Sequence, residues 1–442
     1  MNHKKLFTND GINQFLLILI AMMIIGVGLS TSLSSTNLRS PLSPIDEGAH
    51  IDYVIQLAKG NIPHFGSLIT EQTRKIADCN PGPNPPFPPA TCASPVPSAK
   101  AYPAGGFSYE AQQGPLGYIP YALAWNLFHL ASKSPKEEVR DLRLVNLFWI
   151  ILTMLLFGLL CFIREIPGVI SIALSLIFST FNLIATSFTY VTNDSSSTAI
   201  GIASLLLFIL LKKRIEKDSF SKGTVLSYVL FGCVIGLTKA TDIIAPITIL
   251  TYLLFQPKII RKNNKELIKI QIAQVSVSAL TFVLFQLYQF ILSTSSSGVV
   301  MNALGGPNVQ SHLPLSVVES SLQNIIAALN LGTGVSGLFF TFMVSGSLIA
   351  SIFEIKNKQV TGNLSITQMF PAMVSTSLLT MVGMCFFWYV NYSQVFSTPP
   401  RYLLSLVPML LLPISVVLEN NYWFLRFFML IGIMSLSSLV IF

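Results

Sequence analysis

Long apolar runs recur along this 442-residue chain, and they constrain its fold more than any other feature. The first covers residues 15–29, and each run is long enough, or nearly so, to cross a hydrocarbon core of roughly 30 Å as a helix. Only 10% of the residues are charged, too few to cover the surface of a soluble protein of this size. The pattern predicts an all-α polytopic membrane protein with about eleven transmembrane helices. The later runs are 144–163, 167–191, 196–211, 224–239, 242–256, 270–292, 333–353, 366–391, 402–418 and 424–442.

The positions of the basic residues indicate how these helices are oriented. A net charge of +8 is typical of nucleic-acid binding, but the Lys and Arg residues fall in short loops between apolar runs, so we expect no nucleic-acid partner. If residues 115–131 lie along the membrane surface instead of crossing it, most of these loops face the cytoplasm, as the positive-inside rule requires. We therefore expect a multi-pass protein of the plasma (inner) membrane with a cytoplasmic N-terminus.

The chain divides into three regions. Residues 1–31 form a first transmembrane helix, residues 32–143 a large extracytoplasmic loop, and residues 144–442 a bundle of transmembrane helices. Within the loop, apolar residues at helical spacing over 44–59 and a proline-flanked stretch over 115–131 predict two amphipathic helices at the membrane interface.

Two cysteines of the loop flank a proline-rich stretch. Cys79 and Cys92 both lie on the predicted outer side, where an oxidising compartment would let them pair. We expect a disulfide, which would close a segment too rich in proline to form helix or strand. Two free thiols are the alternative.

An acidic motif opens the loop directly after the first predicted helix. Asp46 and Glu47 are adjacent, and His50 follows one helical turn after Asp46. Ser43 and Asp46 are spaced as a capping box, so helix capping alone accounts for one carboxylate. The second carboxylate and the histidine favour chemistry, because a carboxylate here could take a proton from a hydroxyl. The residues alone leave the two interpretations equally weighted.

Further polar residues gather on the predicted outer side of the membrane. Arg143 ends the loop, and its positive charge suits either a phosphate contact or simple snorkelling at a helix end. A cluster of acids and bases at one interface is typical of a site that is open to outer-leaflet lipid. The candidate binding residues are Tyr109, Glu110, Gln112, Arg143, Asn193, Asp194, Lys239, Arg401 and Tyr402.

Several short motifs together resemble the GT-C superfamily of polytopic glycosyltransferases, which includes protein mannosyltransferases and aminoarabinose transferases. The first is Ser43–His50, which matches a Pro-x-Asp-Glu-x-x-His opening found in a bacterial branch of uncharacterised membrane proteins. The second is Tyr109–Tyr118, similar to Tyr-Glu-Ala-Gln-x-Pro-Pro-Leu-x-Tyr with Gly114 in place of the first proline. The weaker matches are Arg143-Leu144, Asn193-Asp194 and Arg401–Leu404.

The resemblance implies a GT-C-like fold, a donor and a mechanism. The donor would be a sugar on a polyprenyl phosphate, transferred with inversion to the hydroxyl of a glycan, lipid or protein in cell-envelope glycan biosynthesis. Asp46 would be the general base, Glu47 would assist it or bind a cation, and His50 would orient one of them. A divalent cation, Mg²⁺ or Mn²⁺, held by Asp46 and Glu47 stays open. Arg401 is the first candidate to meet the leaving phosphate, which needs positive charge near it.

Two other function classes remain open on the sequence. A lipid-linked glycan transporter or flippase would need polar groups near the middle of the bilayer, and the middles of the predicted helices carry no Asp, Glu, Lys, Arg or His. A non-catalytic assembly factor would use the large loop to bind a partner. Asp46→Asn separates these classes, because the substitution should inactivate an enzyme and leave an assembly factor unaffected.

Overall fold

The computed structural model is almost entirely helical in the parts of the chain that it describes. The described residues are 16–22, 26, 41–43, 46–80, 92, 95–180, 184, 187–219, 221–256, 264–293, 319, 369–392 and 400–420. An isolated β-bridge between Leu68 and Phe107 is the one extended pairing within these ranges.

Twelve α-helices of at least nine residues, separated by short 3₁₀ helices, lie within the described ranges. They are α1 Glu47–Ala58, α2 Glu71–Cys79, α3 Ile119–Leu127, α4 Pro135–Leu144, α5 Asn146–Ile163, α6 Gly168–Thr180, α7 Asp194–Glu216, α8 Lys222–Thr238, α9 Ile244–Phe255, α10 Lys265–Leu292, α11 Met369–Tyr392 and α12 Val407–Asn420.

Within the part of the chain that the structure describes, three helical stretches are long and apolar enough to cross a membrane. They are Pro135–Ile163, which joins α4 and α5, Asp194–Glu216 and Lys265–Leu292. Four shorter apolar helices accompany them: Lys222–Thr238, Ala240–Phe255, Met369–Met384 and Arg401–Ser415. The predicted membrane protein is therefore supported, whereas the predicted eleven crossings are not confirmed. The predicted crossings at 333–353 and 424–442 lie outside the described residues, as does part of 15–29.

Helices α7 and α10 have different surroundings: α7 is enclosed by other helices, whereas α10 has one exposed face. Helix α7 is buried on most sides and packs against α5, α8, α9 and α12. Helix α10 packs on α8 and α9 with one face, while large apolar side chains on its other face are exposed, among them Leu280, Leu284 and Phe290. An exposed apolar surface of this kind is suited to lipid contact.

Helix α1 is enclosed by protein, which differs from the predicted amphipathic helix lying on the membrane. It packs against α2 and α3, and eight of its twelve residues are buried. It begins at Glu47 instead of residue 44, because Asp46 adopts a left-handed backbone conformation (φ 65°) and becomes the N-cap. The Asp46 side chain makes no capping hydrogen bond, so capping does not account for this carboxylate.

Helix α3 forms the core of the second predicted interfacial segment. Its nine residues span about 14 Å at 1.5 Å per residue, too short to cross a hydrocarbon core of roughly 30 Å. Tyr121 and Trp125 pack inward, whereas Leu123 and Leu127 are exposed. Elsewhere in the loop region, a disulfide joins Cys79 to Cys92.

Candidate active site

The Asp46 carboxylate lies at the centre of a polar cluster. Its Oδ2 accepts a hydrogen bond of 2.7 Å from the Arg401 guanidinium, and its Oδ1 accepts one of 2.8 Å from the Tyr109 hydroxyl. Arg401 is 355 residues away in the sequence, so the pair joins the loop region to the C-terminal part of the bundle. The Asp46 side chain is 19% exposed and that of Arg401 28%, so both can be reached by a ligand.

A second acid–base pair lies directly beside the first. The Lys239 ammonium donates to Asp194 Oδ1, and the other oxygen of Asp194 lies 3.9 Å from Nη1 of Arg401. Lys239 also lies over the ring of Tyr402, 5.5 Å from its centroid. Arg401 therefore lies between two carboxylates, each of which has a second hydrogen-bond donor of its own.

Helix ends bring these residues together from distant parts of the sequence. Asp194 begins α7, Lys239 follows the last residue of α8, and Arg401 and Tyr402 lie in the 3₁₀ helix Pro400–Leu406. This 3₁₀ helix packs on α7, where a side chain at Gly201 would collide with the backbone of Ser405.

Gly114 is the position at which this sequence departs from the family motif, and the structure explains the departure. A Cβ atom there would overlap the backbone of Leu237, near the end of α8. Proline would bring such an atom, so the close contact between the loop and α8 favours glycine. This contact brings the segment that carries Tyr109 and Glu110 next to Lys239.

His50 and Glu110 form a buried group behind Asp46. His50 Nδ1 is 2.7 Å from the Tyr118 hydroxyl and 3.9 Å from Glu110 Oε2, while its Nε2 is 3.4 Å from the Thr192 hydroxyl. Burial lowers the pKa of His50 to about 4, so the imidazole is neutral at physiological pH. Burial, with a further contribution from the Asp46 charge, raises the pKa of Glu110 to about 8.

Asp46 itself stays ionised. Burial opposes its ionisation, but the charge of Arg401, the charge of His50 in its protonated form and the hydrogen bonds from Arg401 and Tyr109 together outweigh burial and hold the pKa of the carboxyl below its ordinary value. Burial and the Asp46 charge raise the pKa of Tyr109, so its hydroxyl keeps the proton that it donates to Asp46.

Glu47 and Arg143, both predicted to act in the site, form a separate ion pair with 0% and 2% exposure. The Arg143 guanidinium donates to both oxygens of Glu47, at 2.8 Å and 2.7 Å. The same carboxylate accepts the backbone N–H groups of Ser43 and Val191. With four donors and no access, Glu47 is placed to hold the chain around Asp46 and not to bind a ligand. This placement favours positioning roles for Glu47 and Arg143.

The remaining predicted residues lie close to the cluster or are used by the fold. The backbone carbonyl of Gln112 accepts a hydrogen bond from Gln286 on α10. Asn193 is buried, and its side-chain amide nitrogen has no hydrogen-bond partner among the described residues. Sequence analysis missed two partners of His50, Tyr118 and Thr192. Tyr118 ends the second family motif, which was a usable signal, whereas Thr192 carried none.

A small cavity adjoins Asp46. Its volume is about 50 Å³, and its lining combines three polar side chains, Ser43, Asp46 and Thr73, with the aromatic rings of Tyr102, Phe107 and Tyr109. The cavity is much smaller than a ligand pocket of roughly 300–1,000 Å³, so it leaves a small space beside the carboxylate.

The fold resembles that of two solved structures from Archaeoglobus fulgidus. An oligosaccharyltransferase in complex with Zn and sulfate aligns with a TM-score of 0.51 and 14% identity over 96% of this chain and 52% of that chain. The oligosaccharyltransferase AglB, in complex with an inhibitory peptide and a dolichol-phosphate, aligns with a TM-score of 0.50 and 12% identity over 97% of this chain and 55% of that chain. The chain thus spans about half the length of the structures it matches.

The comparison of sequences adds no family. No protein-family model matches the chain, and no curated protein matches it significantly. The structural likeness therefore concerns the fold alone: the chain has an architecture like that of these two oligosaccharyltransferase structures.

Proposed function

We propose that this protein transfers a sugar from a polyprenyl-phosphate donor to an acceptor hydroxyl, with inversion at the anomeric carbon, at the extracytoplasmic face of the plasma (inner) membrane. The observation that carries the proposal is the cluster in which Arg401 lies between Asp46 and Asp194, with Lys239 beside it. The cluster provides a base and two cations at one end of a helical bundle with an exposed apolar surface.

The two cations are suited to stabilising the lipid phosphate, which is the leaving group of the donor. When the bond between the anomeric carbon and the phosphate oxygen breaks, negative charge develops on the lipid phosphate. Arg401, whose side chain is 28% exposed, is the cation that a phosphate can reach, and Lys239, which is buried against the same Asp194, would add positive charge behind it. A guanidinium is well suited to this task, since its fork of N–H donors matches the geometry of phosphate oxygens.

Asp46 is suited to accepting the proton of the attacking acceptor hydroxyl. The acceptor oxygen forms the new bond to the anomeric carbon while its proton passes to the Asp46 carboxylate. A weakly basic carboxylate is adequate, because glycosyl transfer passes through an oxocarbenium-like transition state in which the bond to the leaving group is largely broken. The Asp46 side chain is partly exposed, so an acceptor hydroxyl could reach this carboxylate.

The other groups would support these two. Tyr109 holds Asp46 through a hydrogen bond, and neutral His50 with Tyr118 would keep Glu110 in place beside the reacting atoms. Tyr402 lies under Lys239 and would orient its ammonium. The structural neighbours add support for the donor class, since one of them was solved with a dolichol-phosphate.

Native mass spectrometry of the purified protein tests this proposal. The samples are the wild type, Asp46→Asn and, as a control, Asp141→Asn, which removes a carboxylate that pairs with Lys133 outside the site. We expect a bound mass equal to a polyprenyl phosphate with one sugar, enriched in Asp46→Asn because the donor is no longer consumed.

Two results would contradict the proposal. Ordinary phospholipids alone in all samples would favour a non-catalytic assembly factor. A bound lipid-linked glycan whose amount and turnover do not change in Asp46→Asn would favour a transporter or flippase, since transport needs no base at that position.

A further inference from the structure

Two carboxylates of the candidate site, Asp46 and Asp194, already have their counterions. Asp46 accepts from Arg401 and Tyr109 through separate oxygens. Asp194 has Lys239 at one oxygen and Arg401 at the other. Two carboxylates and two cations thus form a neutral, continuous chain of charges within the site.

The neighbouring candidates for metal ligands are also engaged. Both oxygens of Glu47 accept hydrogen bonds from Arg143, and the two ring nitrogens of His50 face Tyr118 and Thr192. Among the residues that the structure describes, no group of three or more His, Cys, Asp or Glu side chains is arranged to hold a metal ion.

The geometry leaves little room for a divalent cation next to these cations. Mg²⁺ or Mn²⁺ binds carboxylate oxygens at about 2 Å and needs near-octahedral coordination. An ion bound to Asp46 would therefore approach the guanidinium that is 2.7 Å from the same carboxylate. Repulsion between the two cations, acting in a partly buried site, would oppose binding.

We infer that Arg401 and Lys239 take the place that a divalent cation would have between Asp46 and Asp194, so that the site works without a metal ion. The inference rests on the proposed function for its meaning, since the two side chains then supply the positive charge that the leaving phosphate needs. It distinguishes this chain from the oligosaccharyltransferase neighbour that was solved with Zn. The alternative that the sequence left open, Mg²⁺ or Mn²⁺ at Asp46 and Glu47, does not fit the donors present.

Manganese binding tests the inference without any assay of transfer. The full chain is purified in detergent, stripped with a chelator and titrated with Mn²⁺, and free Mn²⁺ is followed by its electron paramagnetic resonance signal. The variants are Lys239→Met with Arg401→Gln, and the same pair with Asp46→Asn added. Thermal unfolding and size-exclusion chromatography show which variants are folded.

We expect the wild type to show no stoichiometric Mn²⁺ site. The double variant leaves Asp46 and Asp194 without their cations and should bind one Mn²⁺ at least about tenfold more tightly than the wild type, a gain of about 1.4 kcal/mol. Adding Asp46→Asn should remove this gain, because it removes a ligand.

Two outcomes overturn the inference. The first is a wild-type protein that binds one Mn²⁺ and loses it in Asp46→Asn, a measurement that does not depend on the folding of the double variant. The second is a folded double variant that still does not bind Mn²⁺. The side chains of Lys239 and Arg401 would then not be what excludes the metal. Neither outcome bears on the proposed function, which the mass of the bound donor tests separately.

Discussion

Glu47 and Asp46 are adjacent in the sequence, but their ion pairs differ in burial, in hydrogen-bond partners and in accessibility to ligands. Glu47 pairs with Arg143 in the interior, where four N–H donors satisfy its carboxylate. Asp46 pairs with Arg401 at a position that ligands can reach, on a residue with a left-handed backbone. Strained backbone that persists in a folded protein is concentrated at functional sites, where the surrounding structure enforces it.

Two acids of similar chemistry therefore differ in what they can do because of their hydrogen-bond partners and their accessibility. Glu47 is buried and fully paired, whereas Asp46 can be reached by a ligand. The Glu47–Arg143 pair links the segment before α1 to α4 and to the backbone at Val191, which leads to Asp194. It therefore fixes the positions of Asp46 and Asp194 relative to each other. The Asp46–Arg401 pair contributes little to holding the fold and is available for chemistry.

Arg143→Ala should have the largest effect. It leaves the buried Glu47 charge without a counterion, which costs about 3–5 kcal/mol of folding free energy. We expect a large fall in thermal stability in detergent, or no folded protein. Arg143→Ala combined with Glu47→Gln should recover part of the loss, because no unpaired charge remains. Wild-type stability in the single variant would contradict the structural role of this pair.

Asp46→Asn should have little effect on stability and a large effect on the rate of transfer. A partly exposed ion pair is worth about 0–1 kcal/mol, so the melting temperature should stay close to that of the wild type. Loss of the proton acceptor should lower the rate of sugar transfer by about 10²–10⁴-fold. Unchanged transfer in a folded Asp46→Asn protein would assign the base elsewhere, and Glu110 would be the next residue to examine.

Glu110→Gln should make stability less dependent on pH. The folded-state pKa of about 8 lies above the ordinary value of 4.5, so between these values the folded state holds a proton that the unfolded state has lost. Wild-type stability therefore falls as pH rises through this window. We expect Glu110→Gln to raise the melting temperature by a few degrees at pH 8.5 and by little at pH 5. An equal effect at both pH values would refute the raised pKa.

Tyr109→Phe should have the smallest effect. It removes one hydrogen bond to Asp46, worth about 0.5–1.5 kcal/mol, and leaves the Arg401 contact in place. Transfer should slow by about tenfold or less, with at most a small fall in melting temperature. The outcome that contradicts this account is a loss as large as that of Asp46→Asn, because Tyr109 would then be essential itself.

Part of the site could be predicted because its residues lie at the ends of apolar segments. Asp194, Lys239 and Arg401 were all assigned to one side of the membrane from the order of the runs, and the structure does bring them to the same end of the bundle. Helix ends on one side of a bundle are confined to one layer, so their order along the chain limits which of them can meet.

The pairing within that layer could not be predicted. Asp46 and Glu47 are similar acids, and their arginine partners lie 355 and 96 residues away. Which acid faces which arginine depends on the left-handed turn at Asp46 and on the burial of α1, and both are results of tertiary packing. Thr192 was missed for the same reason, because a threonine beside an Asn-Asp pair carries no signal until His50 packs against it.

The most direct test of the central claim is the binding of farnesyl phosphate, a short polyprenyl phosphate, by isothermal titration. Arg401→Ala removes the cation between Asp46 and Asp194, while Arg140→Ala removes an exposed arginine that pairs with Asp141 outside the site and serves as the matched control. The account predicts that Arg401→Ala weakens binding by at least about tenfold and that Arg140→Ala does not change it. Equal affinity in the wild type and Arg401→Ala would contradict a lipid-phosphate site at this cluster.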